Sequence, residues 1–124
     1  ISKGTTNCFM RNSESDLELI KRILMHCERI ISLVDRFGND YETFLSDIAY
    51  RDSVSMNLLQ IGEIAGKLSE DYRLKTSGKI PWKAIRGMRN LFAHDYGNMD
   101  ESLIWQTVGN DIPMLMDFCR AELI

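Results

Sequence analysis

Asp16-Leu17-Glu18-Leu19-Ile20-Lys21-Arg22-Ile23-Leu24-Met25-His26-Cys27-Glu28-Arg29-Ile30-Ile31-Ser32-Leu33-Val34-Asp35-Arg36-Phe37 is the stretch on which the fold turns. Leu17, Ile20, Leu24, Cys27, Ile31 and Val34 recur at alternating spacings of three and four. That period lines up side chains on one face of an α-helix and scatters them over both faces of a strand. Ile23, Ile30 and Phe37 widen the stripe to the breadth of a helix buried in a bundle or a dimer. Ser13 or Ser15 supplies the N-terminal cap and Gly38 the stop. His26 lies about 100° from the stripe centre and reads as a boundary histidine rather than a catalytic one.

Working outward, residues 1–9 show no periodicity and precede Met10, so they read as an unstructured remnant ahead of a native start. Downstream, Asn39 with Glu42 resembles a capping box opening a short helix through Leu45. A long helix is expected from Ile48 to Tyr72, with Val54, Leu58, Ile61, Ala65, Leu68 and Tyr72 as its apolar stripe. Gly62 and Gly66, four apart within it, are placed to let another helix come close. Lys75-Thr76-Ser77-Gly78 reads as a loop. Pro81 then starts a helix that runs through Tyr96 to a break at Gly97-Asn98, and Ile85, Met88, Leu91 and Phe92 form its burying side. The last helix, Asp100 to Glu122, should bury Leu103, Trp105, Val108, Ile112, Leu115 and Cys119, with a kink near Gly109-Asn110 ahead of Pro113. No strand-like alternation, repeat or low-complexity tract interrupts the pattern. The expected fold is all-α: an up-and-down bundle of four longer helices and one short helix, a single domain over residues 10–124.

The chain's 124 residues are enough for one domain with its own core. No apolar run approaches the roughly 18 to 20 residues of a membrane span. Cys8, Cys27 and Cys119 have neither metal-binding spacing nor an even count, and Cys27 and Cys119 fall on apolar stripes. Reduced thiols in a cytoplasmic protein follow, with no metal or cofactor site. A net charge of −3 gives no bulk attraction for nucleic acid. RNA contact would have to come from a local basic patch such as Lys79, Lys83, Arg86 and Arg89.

That patch lies on the helix from Pro81. At about 100° per residue, Lys83, Asn90 and His94 fall within roughly 40° of one another, with Arg86 about 60° away. Arg89 stands on the shoulder, where a long guanidinium can lie along the helix and reach the polar face. An arginine followed five residues later by a histidine is a cheap pattern in isolation. A surface helix end with a histidine favoured by the helix dipole explains it equally well.

The context is more specific. Ile61-Gly62-Glu63, Ile80-Pro81-Trp82, Gly87-Met88-Arg89-Asn90, His94-Asp95-Tyr96 and Trp105 occur in an order that resembles the HepT-like family of HEPN domains, over about Asp16 to Leu115. The resemblance implies a homodimeric helical bundle and a metal-independent ribonuclease toxin of a toxin–antitoxin system. It also implies a cognate minimal nucleotidyltransferase antitoxin that transfers AMP to the motif tyrosine. Carried onto this sequence, Arg89 and His94 become the catalytic pair, Asn90 the polar residue after the arginine and Tyr96 the site of AMP attachment. Lys83 and Arg86 are expected to hold RNA phosphates.

Metal-free RNA cleavage uses the neighbouring 2′-hydroxyl as nucleophile, so the protein must move two protons and stabilise phosphoryl charge. Histidine suits the proton work near neutrality and arginine the charge. One chain offers one well-placed histidine, so a composite site at a two-fold axis is expected. The products would be a 2′,3′-cyclic phosphate and a 5′-hydroxyl. The alternatives are a non-catalytic nucleotide- or RNA-binding accessory subunit of a nucleotidyltransferase, and a purely structural dimerisation domain.

Overall fold

The computed structural model describes residues 14–124. The expectations for residues 1–9, Cys8 and Ser13 lie outside the described residues. Seven α-helices follow one another: α1 (Asp16–Phe37), α2 (Tyr41–Ser46), α3 (Ile48–Ala65), α4 (Glu70–Thr76), α5 (Trp82–His94), α6 (Glu101–Gln106) and α7 (Ile112–Glu122). A 3₁₀ turn, Tyr96–Asn98, separates α5 from α6, and a π-helical turn, Thr107–Asp111, joins α6 to α7.

The first helix has the bounds its periodicity predicts. Ser15 accepts from the Glu18 amide at 3.1 Å while the Glu18 carboxylate accepts from the Ser15 amide at 3.0 Å, a complete capping box. Gly38, at φ +116°, lets the chain leave the helix in a conformation that an L side chain rarely adopts. Its carbonyl accepts the Tyr50 hydroxyl at 3.0 Å. Phe37 stacks on Tyr50 at 4.9 Å, and Phe44 and Trp105 meet the same ring edge-on. This aromatic cluster ties the α1–α2 turn to α3 and α6.

α3 is the central element, packed between α1 and α5, and α1 also packs on α7. Ile20, Ile23, Cys27 and Ile30 of α1 are fully buried with Val54, Leu58, Ile61 and Ala65 of α3 and Cys119 of α7. The stripe of α1 is therefore centred on Ile23 and Ile30. Leu17, expected to bury, is 49% exposed. His26 is buried rather than at the boundary, with Nδ1 2.8 Å from the Asn57 amide oxygen, which satisfies it within the core.

Three other expectations need correction. The short helix is capped by Asp40, not Asn39: Asp40 accepts from both the amide and the hydroxyl of Thr43, two bonds that Asn39 does not make. The long helix expected over Ile48–Tyr72 breaks after Ala65 and restarts at Glu70. Asp16 accepts from the Ser69 amide at 2.8 Å and hydroxyl at 2.7 Å, while Ser69 caps α4 through the Tyr72 amide. Leu68 and Tyr72 stay buried across the break, and α4 extends through Thr76 into the expected loop. Finally, Pro81 caps α5 rather than occupying its first turn, and α5 ends at His94, short of Tyr96.

The kink ahead of Pro113 takes the form of the π turn. Proline lacks the amide that would bond the Gly109 carbonyl, and its ring crowds that group. The ladder widens so that the Ile112 amide bonds Thr107. Val108, Ile112, Leu115 and Cys119 bury as expected and Trp105 partly does, but Leu103 is 58% exposed.

Burial pushes the Cys119 thiol up to about 12 and raises Cys27 as well. The folded state thus holds these protons more tightly than the unfolded state. Their contribution to stability is complete below the ordinary thiol value and is lost as pH rises toward the folded one. The denaturation midpoint should fall between about pH 9 and 12. The fall should be shallower in Cys119→Ala, read by circular dichroism across that range.

No helix among the described residues is long and apolar enough to cross a membrane.

Candidate active site

The site is built on α5 and on the way α5 meets α3. The helices approach so closely at Gly62 that a Cβ there would sit 2.8 Å from both the Arg89 nitrogen and the Ile85 oxygen. Gly66 meets no such obstacle, its nearest neighbour being 3.4 Å away. The close approach expected of the glycine pair thus rests on Gly62 alone. Ile85 and Phe92 anchor α5 in the core, and Trp82 donates its indole N–H to the Thr76 hydroxyl at 2.7 Å.

This seating presents the polar side of α5 to solvent. Lys83, Arg86, Arg89 and Asn90 line one open groove of about 480 Å³, whose other wall is Gly62, Glu63, Gly66 and Lys67 of the α3 end. Arg89 Nε donates to Glu63 at 2.8 Å, and its Nη1 donates to the Asn90 side-chain oxygen at 3.1 Å. The shoulder position expected for Arg89 therefore does reach the polar face.

His94 is not part of that groove. It stands exposed at the end of α5, one turn beyond Asn90 on the same flank, and makes no side-chain hydrogen bond among the described residues. Asp95, its acidic neighbour, accepts instead from Asn98 at 3.0 Å. Tyr96 lies in a separate recess with Ile48, Arg51 and Asp52, where its hydroxyl donates to the Asp52 carboxylate at 2.5 Å. Partial burial, and then this bond, raise the phenol above its ordinary value.

Leu91 was expected to bury, yet it is half exposed. Exposed Ala84 and half-buried Met88 lie within about 60° of it on the helical wheel. α5 thus carries an apolar strip directly beside the flank of His94. The strip borders a shallow groove of about 230 Å³ lined by Pro81, Met88, Met114 and Leu115.

Glu63, Lys67 and Asp52 were not singled out from the sequence. Glu63 is 26 residues from Arg89, and Asp52 is 44 from Tyr96, distances over which no local pattern speaks. The one available signal for Glu63 was its place in Ile61-Gly62-Glu63.

Such an arrangement offers one oriented guanidinium, further cations and an amide for phosphate oxygens, and one solvent-facing imidazole for proton transfer. The family described as "Ribonuclease HepT-like" matches residues 23–122. "Putative RNase TTE0752" of Caldanaerobacter subterraneus subsp. tengcongensis is 35% identical over 96 residues, 77% of this chain and 83% of that protein. "Putative RNase MJ0125" of Methanocaldococcus jannaschii is 34% identical over 91 residues, 73% of this chain and 76% of the relative. "Probable ribonuclease HepT" of Thermococcus cleftensis is 32% identical over 87 residues, 68% of this chain and 78% of the relative. No solved structure matches the chain. With the family matching residues 23–122 and these relatives matched over most of their length, the chain belongs to the HepT-like ribonuclease family.

Proposed function

We propose that the chain is a metal-independent endoribonuclease toxin of a cytoplasmic toxin–antitoxin pair, acting as a homodimer with the flanks of its two α5 helices around one RNA linkage. In the reaction the 2′-oxygen forms a bond to phosphorus while the bond from phosphorus to the 5′-oxygen breaks. One imidazole takes the 2′-hydroxyl proton and the other, protonated, gives one to the departing 5′-oxygen. Arg89 carries the phosphoryl charge, Asn90 orients it, and Lys83 and Arg86 hold flanking phosphates. The observation that carries this reading is the exposed Leu91 strip beside His94: joining two copies there brings two imidazoles toward one another and covers apolar surface.

With RNA in excess EDTA, the expected products are a 2′,3′-cyclic phosphate and a 5′-hydroxyl. Leu91→Asp should give a folded monomer without cleavage; a monomer with full activity would reject the composite site.

Tyr96 is the proposed switch. AMP transferred to its hydroxyl by a minimal nucleotidyltransferase antitoxin adds bulk and negative charge near His94. Mass analysis after incubation with that enzyme and ATP should show one AMP on the parent and none on Tyr96→Phe. Persistence of the adduct in Tyr96→Phe would move the site elsewhere.

One observation favours the accessory-subunit reading: the cationic groove of Lys67, Lys83, Arg86 and Arg89 excludes His94. Nucleotide binding without any RNA cleavage would support it over the toxin.

A further inference from the structure

The Arg89 guanidinium does not hang freely over its groove. Its Nε is taken by the Glu63 carboxylate at 2.8 Å and its Nη1 by Asn90 at 3.1 Å, while among the described residues its Nη2 has no partner. The Arg89 backbone is held from the same quarter, because Gly62 admits the Arg89 nitrogen to within 2.8 Å of where a Cβ would stand. Adjacent residues of α3 thus fix both ends of one side chain. Gly62 seats its backbone and Glu63 orients its head.

Two consequences pull in opposite directions. With Nε held by Glu63 and one Nη1 N–H by Asn90, the guanidinium is fixed in place while the N–H groups of Nη2 and the second of Nη1 are left to donate to a phosphate. The same carboxylate is an anion in a groove otherwise lined by Lys67, Lys83 and Arg86, so it weakens the hold on any polyanion. With the pair's side chains each 43% exposed, its contribution to folding is small, which leaves an effect on the site as its main consequence.

We propose that Glu63 is a positioning residue for RNA cleavage, aiming the Arg89 fork at the scissile phosphate while reducing ground-state affinity for the RNA. This rests on Arg89 serving the reacting phosphate, as proposed above.

The test is single-turnover cleavage of one RNA together with its binding affinity. Glu63→Gln, Glu63→Asp and Arg89→Ala are compared with the parent, and Glu63→Gln is also combined with Arg89→Ala. Glu63→Gln should bind RNA about 2- to 5-fold more tightly, the worth of one exposed charge. It should nevertheless cleave about 10- to 100-fold more slowly, because a neutral amide holds the Arg89 Nε less firmly than a carboxylate and carries an NH2 group that the guanidinium repels, so the fork is no longer held on one line. Glu63→Asp, keeping the charge on a shorter arm, should retain parental affinity and an intermediate rate. Adding Glu63→Gln to Arg89→Ala should cost nothing further in rate. A merely structural carboxylate would instead lower the unfolding midpoint and leave bound-state cleavage unchanged, which would overturn the proposal. So would weaker binding in Glu63→Gln, or an equal loss of rate with and without Arg89. If Arg89→Ala cleaves like the parent, the assignment of Arg89 fails. If Arg89→Ala is inactive while Glu63→Gln cleaves like the parent, only the role of Glu63 fails.

Discussion

His94→Ala should cleave RNA about 10²- to 10⁴-fold more slowly than the parent in the presence of EDTA, with its fold and its association state intact. Both halves of this expectation come from the position of the side chain. The imidazole is exposed at the last residue of α5 and bonds to nothing among the described residues, so its removal leaves no cavity and no orphaned partner. What it removes is the one exposed imidazole among the described residues. Arg89→Ala should cost a comparable factor, about 10² to 10³, by taking away phosphoryl charge stabilisation. Its binding loss should flatten the salt dependence of affinity by about one counterion. Single-turnover rates and binding across a salt series check both. Parental rates in both variants would leave the chain a binding module and not a nuclease of this kind.

Gly62→Ala should damage both the fold and the site. The added Cβ would meet the Arg89 nitrogen and the Ile85 oxygen at 2.8 Å. These are backbone atoms of a regular helix and cannot swing aside as a side-chain tip does. α5 must back away from α3, opening the contact that seats Arg89. Overpacking of this sort costs about 1 to 3 kcal/mol or more, and the better helix propensity of alanine returns about 1. A fall of several degrees in the thermal midpoint is expected, with a larger fractional loss of cleavage. Gly66→Ala is the matched control. Gly66 has helical φ and ψ and no contact closer than 3.4 Å, so alanine there should be neutral or stabilising by a few tenths of a kcal/mol. Equal midpoints for the two variants would refute the tight crossing.

The fold was legible where several local signals coincided. α1 combined a stripe, a serine cap and a glycine stop within one stretch, and its bounds follow from them. The break at Gly66–Ser69 was hidden because Leu68 and Tyr72 keep the burial expected of an unbroken helix. It is enforced by Asp16, 53 residues away, which binds Ser69. Leu91 misled for a different reason. Periodicity reports that a side is apolar and not what covers it: Leu91 and Ala84 are exposed, and only Met88, at the strip's edge, packs against this chain's own core.

The candidate site was legible as a set of residue types and less so as a place. Lys83, Arg86 and Asn90 share a groove, as their helical spacing leads one to expect, and Arg89 enters it from the shoulder by the length of its side chain. That His94 lies beyond the groove's end and that Tyr96 turns into another recess depends on where α5 stops. A 3₁₀ turn replaces the helix after Asp95, and helix ends are the least determined feature of any periodic reading.

The wide turn at Thr107–Asp111 has a consequence for what this chain tolerates. Ile104, Val108 and Ile112 repeat in steps of four, and each such step overshoots a regular helix by about 40°. The extra residue in the turn absorbs the accumulated phase and lets Leu115 and Cys119 still meet α1. Removing one residue there would close the wide turn into a regular helix and leave the residues after it on the face they already occupy, whereas the same loss from a regular turn of α7 would rotate everything beyond it by about 100°. Gly109, Asn110 and Asp111, all exposed, are therefore the place where loss of one residue should leave the C-terminal stripe in the interior.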